Sequence, residues 1–449
     1  MMGRHWLRDR ESPLKTFPPV TGILGENPFT MNLVDPLPNA RSDAQAPTTA
    51  SAPPVLRPRG SNHVGMRQFN ERVVLQAVRL NGSLPKADLA RLTGLTAQTI
   101  GLITTRLEDD GLLLKQDRVR GRIGQPSVPM ALNPDGAFSL GIKIGRRSAD
   151  WLLVDFTGAV RARETMPYDF PDAEALLPEV QKRMRAIQDG LGPLAQRIVG
   201  VGVAAPFNLG GWHKMLGLSE TVSDQWNHID LAAQVQAMTD VPVSFAKDTQ
   251  AACVAELVSG RGRDLKSFLY LFVDTFVGGG LVLNSHLHGG IHGNAGAVAS
   301  LPLQVASGSA VPEQLLAHAS LWELEQLYKD KGLDPTAAYD DRALEGAYAP
   351  LTDAWITSAA QGLAQCVVSG TAFLDLDAVV IDGSFSRTML KRLIDQTTLA
   401  LRNYNWEGLW PAKVIAGSIG SDARALGGAL LPLHENFAPD RDLFLKVTA

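Results

Sequence analysis

Three arginines stand at alternate positions of one short basic turn, Arg118, Arg120 and Arg122. Guanidinium groups bind phosphate oxygens well, and contacts to a phosphate backbone position a protein without reading base sequence. Lys86, near the start of a helical pattern earlier in the chain, is a fourth cation of this kind. We therefore expect these four side chains to contact the phosphates of a nucleic acid.

The charge of the chain is distributed as such binding requires. The whole chain has 42 Lys and Arg against 46 Asp and Glu, which gives a net charge of −4. Residues 60–125 hold ten basic and six acidic side chains, whereas residues 126–449 hold 25 and 35. The positive charge is thus concentrated in a small segment attached to an acidic body, which is typical of a module that binds a polyanion.

The segment before the arginines predicts a helix that could read base edges. Thr96 is a good N-cap for a helix over residues 97–110. Gln98 and Thr99 then lie in the first turn, the part of a recognition helix that enters the major groove, where Gln can bond adenine and Thr can contact thymine. The other candidates for DNA contact are Thr96, Leu102, Thr105 and Arg106.

Two more helices and a hairpin are predicted around this recognition helix. One helix begins at Gln68, a second covers residues 85–92, and a strand at 112–116 returns as an extended segment at 125–132. The predicted inward-facing residues are Val73, Val74, Ala77 and Leu80, then Leu89 and Leu92, then Ile100, Ile103 and Leu107. The pattern indicates a winged helix-turn-helix over residues 66–133; the alternative is a trihelical protein-interaction module with a solvated face.

Residues 134–449 alternate strand patterns with amphipathic helix patterns in two sets of similar size. Strands are predicted at 139–144, 151–155, 198–204, 241–245, 268–273, 280–283, 378–382 and 414–419. Helices are predicted at 173–191, 230–238, 249–259, 312–328, 343–346, 351–374, 388–401 and 423–431. This order predicts an α/β body of two lobes with a cleft between them.

The ends and the composition restrict where the protein acts. Residues 1–65 carry ten of the 27 prolines and little apolar periodicity, which predicts a largely disordered segment. A wrongly assigned start codon would give the same composition, and Met31 or Met66 would then be the first residue. Two cysteines suit a reducing compartment. No apolar run is long enough to span a membrane and no secretory signal is visible, so we expect a cytoplasmic protein without a membrane partner.

Three stretches of the body resemble a known family. Val273-Asp-Thr-Phe-Val-Gly-Gly-Gly-Leu-Val-Leu-Asn284, followed by Gly289-Gly-Ile-His-Gly-Asn-Ala-Gly296, is similar to the signature of the ROK family of repressors and sugar kinases. Val241-Pro-Val-Ser-Phe-Ala-Lys-Asp-Thr-Gln-Ala-Ala252 resembles its strand–Asn-Asp–helix element. The resemblance covers nearly the whole chain after Gln68. It implies a winged helix-turn-helix followed by an actin-like, sugar-kinase-type body of RNase H-like fold, as in xylose or N-acetylglucosamine repressors.

Several positions depart from the kinases of that family. The first phosphate loop, Asp-x-Gly-Gly-Thr in those kinases, is Lys143-Ile-Gly-Arg-Arg147 here and lacks the acidic residue that helps to hold magnesium. The second phosphate loop is Asp274-Thr-Phe-Val-Gly-Gly-Gly280. The sugar-contacting Gly-Glu-Ile-Gly-His stretch is Gly296-Ala-Val-Ala-Ser300, and the cysteine-rich zinc motif is absent. We therefore expect no catalytic residues, no cofactor and no metal.

The resemblance also places the catalytic Asp of the family at Asp248, which would act there as a general base. Its neighbour Lys247, usually Asn in the family, could pair with Asp248 or meet an anionic ligand such as a sugar phosphate or a sugar acid. Asp248 could equally cap the helix that begins near Thr249, and Asn294 could be a turn residue or a ligand contact. Lys247, Asp248 and Asn294 are the candidate effector-binding residues.

Together these patterns predict a sugar-responsive transcriptional regulator, a repressor of carbohydrate-utilisation genes. Its partners would be operator DNA and a sugar or sugar derivative bound between the lobes, and it would act as a homodimer or homotetramer on a palindromic site. The alternatives are a sugar kinase of the same family with a fused DNA-binding domain, and an interaction scaffold with a helical head.

Overall fold

The computed structural model describes residues 63–118, 127–207, 209, 224–226, 228–303 and 312–439. The proline-rich segment lies outside the described residues up to residue 62, so the expectation of disorder there stays a prediction. The first helix, α1 (His63–Asn81), begins five residues before the predicted start at Gln68.

A winged helix-turn-helix follows from α1. It consists of β1 (Ser83–Pro85), α2 (Lys86–Thr93), α3 (Ala97–Asp109), β2 (Leu113–Lys115) and β3 (Pro129–Leu132). The three strands form an antiparallel sheet in the order β1-β3-β2. The tip between β2 and β3 includes residues 119–126, which lie outside the described residues.

The cores of these three helices agree only in part with the predicted stripes. Ile100, Ile103 and Leu107 of α3 are buried as predicted. Leu80 and Leu92, predicted to face inward, are 44% and 56% exposed. The prediction was wrong because α1 buries the stripe of Val74, Leu75 and Val78, and α2 is a two-turn helix that fully buries Leu89 only.

The first lobe of the body is a five-stranded sheet with helices beside it. Its strands are β4 (Phe138–Ile144), β5 (Ser148–Asp155), β6 (Val160–Pro167), β7 (Ile198–Ala205) and β8 (Val243–Lys247), in the order β6-β5-β4-β7-β8. Strand β5 pairs antiparallel with both β4 and β6, whereas β7 pairs in parallel with both β4 and β8. Helices α4 (Ala173–Leu191) and α5 (Leu231–Gln236) connect the parallel strands. We call this unit lobe 1.

Lobe 2 repeats the same topology. Its strands are β9 (Phe268–Val273), β10 (Gly278–Leu283), β11 (His286–Leu287), β12 (Ala378–Gly383) and β13 (Lys413–Ala416), in the order β11-β10-β9-β12-β13. Its helices are α7 (Leu316–Ala319), α8 (Leu321–Asp330), α9 (Ala349–Leu374) and α10 (Arg387–Ala400); α6 (Asp248–Ser259) lies between β8 and β9. Two copies of this sheet, each with antiparallel strands followed by parallel ones, form the actin-like, sugar-kinase-type body that the resemblance implies.

Several segments differ from the predicted elements. The helix predicted over 343–346 is a short 3-10 helix, Asp341–Leu344, followed by a turn. The single helix expected over 312–328 is interrupted at Ser320, because the backbone there turns to accept a hydrogen bond from Trp355 Nε1 at 3.0 Å. Strand β6 was not predicted, because Val-Arg-Ala-Arg-Glu-Thr-Met-Pro is polar and lies at a sheet edge, where five of its eight residues are exposed.

Two helices are exchanged between the lobes. Helix α6 (Asp248–Ser259) follows β8 of lobe 1 but packs on β10 of lobe 2, and α11 (Ala423–Phe437) follows β13 of lobe 2 but packs on β4 and β7 of lobe 1. The helices touch backbone to backbone, since a Cβ atom on Gly427 would lie 1.6 Å from the carbonyl oxygen of Ala251.

Within the described ranges, no helix is long and apolar enough to cross a membrane.

Candidate functional site

The exposed face of α3 carries side chains suited to contact base edges. Gln98, Leu102 and Thr105 lie on successive turns and are all exposed, Leu102 by 64%. An amide at the first turn can bond adenine, and an apolar side chain one turn later can contact a thymine methyl group. This face is opposite the buried stripe of the helix, so all three side chains are available to a partner.

Other predicted DNA contacts of this domain have partners within the protein. The Thr96 hydroxyl accepts from the Thr99 backbone N–H at 3.2 Å and lies 2.8 Å from the Thr99 hydroxyl, so the cap uses both side chains. Arg106 forms an ion pair with Glu71 of α1 at 2.6 Å. Lys86, by contrast, is exposed at the first position of α2.

The described part of the wing presents one of its three arginines. Arg118 is exposed, whereas Arg120 and Arg122 lie outside the described residues. Lys115, in the strand that leads to the wing, is paired with Glu108 at 2.7 Å. Lys86 and Arg118 are therefore the predicted phosphate contacts whose exposure the structure describes.

A second candidate site lies between the lobes, in a cavity of about 410 Å³. We call it the interlobe cleft. Lobe 1 lines it with the turn between β4 and β5 and with the ends of β4 and β7; lobe 2 lines it with the loop after β9. The charged lining residues are Lys143, Arg146, Arg147, Asp150, Asp248, Asp274, Asp422 and Arg424.

Arg424, in the first turn of α11, lies at the centre of the cleft charges. Its guanidinium donates to the carboxylate of Asp274 in a short contact and lies 3.7 Å from that of Asp248. It also stacks over the ring of Phe272, with its Cζ 5.2 Å from the ring centroid. Burial opposes the charged form, but the two carboxylates outweigh it and raise the pKa of Arg424. The guanidinium thus connects the helix of one lobe to the acid at the start of α6.

Lys143 of the altered phosphate loop is also paired within the protein. Its ammonium donates to Asp150 Oδ2 at 3.0 Å and to the Ser148 hydroxyl at 2.7 Å. Burial, together with nearby Arg424, lowers the pKa of Lys143, while Asp150 opposes this shift. The lysine therefore neutralises a carboxylate on the neighbouring strand of its own lobe.

Arg147 joins the two lobes across the mouth of the cleft. It donates to Glu325 of α8 at 2.8 Å and to the hydroxyl of Tyr339 at 3.2 Å. Glu325 is 2% exposed and also accepts from the Tyr339 hydroxyl at 2.7 Å. A second ion pair between the lobes joins Arg163 of β6 and Asp422. Opening of the cleft would have to break these contacts.

The three predicted effector residues lie close together. Of the two roles expected for Lys247, a pair with Asp248 or a contact with an anionic ligand, the structure contradicts the first. Lys247 does not pair with Asp248; its ammonium donates to Asn294 Oδ1 at 3.2 Å. The carboxylate of Asp248 accepts from the Thr249 N–H at 2.8 Å and faces Arg424. Asp248 is the first residue of α6 rather than its cap, because the N-cap position belongs to Lys247. Asp248 lines the cleft, and the Lys247–Asn294 pair lies beside it.

The far ends of the exchanged helices meet the winged helix-turn-helix. Leu257 and Val258 of α6, and Leu433 and Phe437 of α11, line a cavity of about 110 Å³ together with residues of α1. Just after α6, Arg263 donates to the last carbonyl oxygens of α1, at Arg79 (3.2 Å) and Leu80 (3.0 Å). We call this contact the α1 junction.

The cation Arg79 reinforces this junction from the side of α1. Its guanidinium lies over the ring of Phe156 of lobe 1, 5.2 Å from the centroid. Burial lowers the pKa of Arg79 to about 10, and the positive charge of Arg263 contributes to the shift. A buried core shared by Val74, Leu89 and Leu113 with Val154 and Leu430 joins the domain to lobe 1.

Sequence reasoning missed Arg424 and Glu325, the residues that tie the cleft charges together. Arg424 had one visible signal, since it is a charged residue in the helix Ala-Arg-Ala-Leu-Gly-Gly-Ala-Leu-Leu, whose other members are small or apolar. A charge in such a helix has a partner when it is buried. Glu325 had no such signal, because its helix contains other charges that are exposed. No group of three metal-binding side chains occurs among the residues that the structure describes.

Comparison with known proteins gives the body a family and most of the chain a fold. Residues 139–435 match the model of the ROK family. The xylose repressor of Bacillus subtilis is 22% identical over 264 residues, which are 58% of this chain and 66% of that repressor.

Two solved structures share the fold. A ROK family transcriptional regulator, described as a homolog of the E. coli MLC protein, aligns with a TM-score of 0.61 and 19% identity over 83% of this chain and 98% of its own. A ROK hexokinase from Thermus thermophilus aligns with a TM-score of 0.50 and 20% identity over 65% of this chain and 97% of its own. The larger coverage of the regulator extends beyond the length of the body and so includes some of the residues that precede it. At these identities the likeness shows the fold, which regulators and kinases have in common.

Proposed function

The chain belongs to the ROK family, and from this premise we propose that it is a DNA-binding transcriptional regulator that responds to a carbohydrate bound in the interlobe cleft. One observation carries the proposal: α6 and α11 both run from the cleft to the α1 junction. Asp248 and Arg424 lie at the cleft ends of these helices, and Leu257 and Phe437 lie at the junction ends. A ligand in the cleft is thereby connected to the DNA-binding domain by two packed helices.

This connection gives the response a physical route. The Asp248–Arg424 contact links the first turns of α6 and α11. A ligand that changes this contact, or the closure of the lobes, would move the helix ends that hold α1 through Arg263. It would shift the population of DNA-binding states only if it binds those states with different affinity. In a dimer, such a shift would change the spacing of the two α3 helices on a palindromic operator.

The same contact argues against phosphoryl transfer. A sugar kinase of this fold needs a carboxylate free to accept a proton from the sugar hydroxyl and an acidic phosphate loop that helps to hold magnesium. Here Arg424 faces Asp248 and Asp274, and the first phosphate loop supplies Lys143 and Arg147, both paired with acids. We propose that the kinase machinery has been replaced by this ion-pair network.

Footprinting tests the regulatory function directly. The purified full chain is bound to the DNA upstream of its own gene and of the neighbouring genes, with and without sugars, sugar phosphates and sugar acids. We expect a protected inverted repeat whose protection changes with one of these compounds. A protein that protects no DNA, or whose protection no carbohydrate changes up to millimolar concentration, would contradict the proposal. Incubation with magnesium-ATP and hexoses should give no sugar phosphate beyond that of the matched Asp248→Asn variant.

The route through the α1 junction has its own test. Arg263→Ala removes the cap of α1 without touching the cleft or α3. We expect this variant to bind both the carbohydrate and the operator while the effect of one on the other falls, as measured by operator affinity at zero and at saturating ligand. Arg261→Ala is the matched control, because that exposed side chain lies two residues away and should leave the coupling unchanged. Equal coupling in both variants would rule out this route.

A further inference from the structure

A small set of side chains beside the cleft favours one class of ligand. Lys247, Phe207 and Asn294 lie near the carboxyl ends of β7 and β8, with Lys247 paired in register to Ala205. Ligands in open α/β sheets bind at the carboxyl ends of the parallel strands. Pro206, directly before Phe207, and Asp248, directly after Lys247, both line the cleft. The set therefore adjoins the cleft at the carboxyl ends of these strands.

Lys247 differs from three other cations at the cleft in its partners. Lys143, Arg147 and Arg424 are each paired with a carboxylate. Lys247 forms no ion pair with any described residue, and its ammonium has one amide oxygen, that of Asn294, as its partner. The adjacent acid, Asp248, is oriented towards Arg424. An ammonium has three donors, so Lys247 can bind an anion while it keeps its bond to Asn294.

The environment of Lys247 makes such an anion favourable. The residue is partly buried, and this burial lowers the pKa of its ammonium while the neighbouring Asp248 opposes the shift. A partly dehydrated cation gains more from an anionic ligand than an exposed one does, because less water competes for it. Full exposure, as on the protein surface, would make the same contact weak.

Phe207 supplies an apolar surface at the same place. Its side chain is 57% exposed although it is aromatic, and one carbon of its ring lies 3.6 Å from the place that a Cβ atom on Gly293, next to Asn294, would occupy. Ligand sites combine apolar and aromatic walls with a few polar groups that fix orientation. An exposed ring near an ammonium that forms no ion pair with a described residue, and near an amide, matches this description.

From these contacts we infer that the effector is an anionic carbohydrate, a sugar phosphate or a sugar acid. Its anionic group is bound by the ammonium of Lys247, and its ring packs on Phe207. The inference rests on the proposed function, since it specifies the ligand of the same cleft. Phosphate and carboxylate share this chemistry, and the experiment separates them.

Calorimetric titration of the full chain with matched compounds tests this class. The probes are glucose with glucose 6-phosphate and gluconate, xylose with xylonate, and inorganic phosphate. We expect an anionic member to bind about tenfold or more tightly than its neutral counterpart, the gain from one charge-assisted contact. The preference should disappear in Lys247→Met, persist in Lys247→Arg, and persist in the control Lys331→Met, where an exposed lysine of lobe 2 is changed. Phe207→Ala should weaken neutral and anionic members alike.

The outcomes separate this inference from the proposed function. A neutral sugar that binds and changes operator affinity, with its anionic counterparts binding no more tightly, overturns the anionic class and leaves the regulator intact. An anionic preference that survives in Lys247→Met overturns the assignment of Lys247. A phosphate-specific preference identifies a sugar phosphate, and a preference shared by gluconate or xylonate identifies a sugar acid. Failure of every anionic probe to bind at millimolar concentration overturns the inference.

Discussion

The polar side chains of the two candidate sites differ in whether they have partners within the protein. On α3, Gln98 and Thr105 are left to solvent, and no rearrangement of the domain is needed to bring them to DNA. In the interlobe cleft, Arg147 and Arg424 are paired with acids of the protein. A partner can therefore bind α3 directly, whereas a ligand that contacts these two arginines has to displace or adjust existing ion pairs.

This difference explains why the cleft is suited to a response. Charged groups that already have partners can be arranged in more than one way, and a ligand that breaks one pair changes what the helices behind it contact. A face whose side chains have no partners offers affinity but no second state. We therefore propose that α3 supplies specificity for DNA and that the cleft supplies the change of state.

The largest expected effect comes from a substitution that breaks the packing of α6 against α11, the two helices that connect the sites. In Gly427→Ala the added Cβ would lie 1.6 Å from the carbonyl oxygen of Ala251, so α6 and α11 must move apart. We expect the free energy of unfolding to fall by about 3 kcal/mol or more, measured by urea denaturation. The control Gly190→Ala meets no atom within 4 Å and should stabilise its helix by up to about 1 kcal/mol. Equal effects at the two glycines would contradict the close contact.

A second test removes the cation at the centre of the cleft. Arg424→Met leaves Asp248 and Asp274 largely buried without their shared partner, so the free energy of unfolding should fall by about 3 kcal/mol. Replacing both acids with asparagine in the same chain should recover part of this loss. The affinity of either variant for DNA without an operator site should not change, because α3 is unaltered. A loss that the asparagines do not reduce would mean that Arg424 stabilises by packing on Phe272.

The third test is directed at α3. In Gln98→Ala we expect discrimination at one base pair of the operator to fall by about 1–3 kcal/mol, the worth of one bidentate contact. Binding to a set of operators with single base changes measures this loss. Stability should stay unchanged because Gln98 is exposed. The control Gln196→Ala, an exposed residue of lobe 1, should alter neither property. A uniform loss over all operators would make Gln98 a backbone contact instead.

The smallest expected effect concerns phosphate contacts. Arg118→Ala should lower affinity for every DNA and reduce the slope of log affinity against log salt by about 0.9, the value for one phosphate contact. Lys115→Ala should change the slope less, since Lys115 is already paired with Glu108. Replacement of Arg118, Arg120 and Arg122 together should reduce the slope further. A triple variant with the slope of the unaltered protein would refute the phosphate assignment.

The elements of the fold were predictable where the sequence pattern is local. Phe268–Val273 is a continuous apolar run, and the helix over Ala173–Leu191 has a regular stripe, so both were predicted with the bounds that the structure shows. The edge strand Val160–Pro167 was not, because its alternation is weak and polar. Ser320 ends a helix through a contact with Trp355, which no local pattern reveals.

The candidate sites were predictable to a different extent. The first turn of α3 followed from the Thr96 cap and the stripe behind it, because both depend on neighbouring residues. The partner of Asp248 did not follow, since Arg424 lies far along the chain and reaches it because two helices are exchanged between lobes. Adjacency in sequence suggested Lys247 instead. Contacts between distant segments are the part of a site that residue spacing does not contain.

The helix exchange also has a consequence for how the chain folds during synthesis. The sheet of lobe 1 leaves Gly141 and Gly202 on the face that α11 covers, and α11 is the last described helix. At roughly 5–20 residues per second, the ribosome needs about 9–35 s to pass from the end of β8, the last strand of this sheet, to that helix. During this interval lobe 1 has a complete set of strands but an uncovered apolar face. The order of synthesis thus leaves this apolar face of lobe 1 exposed on the growing chain until α11 has been made.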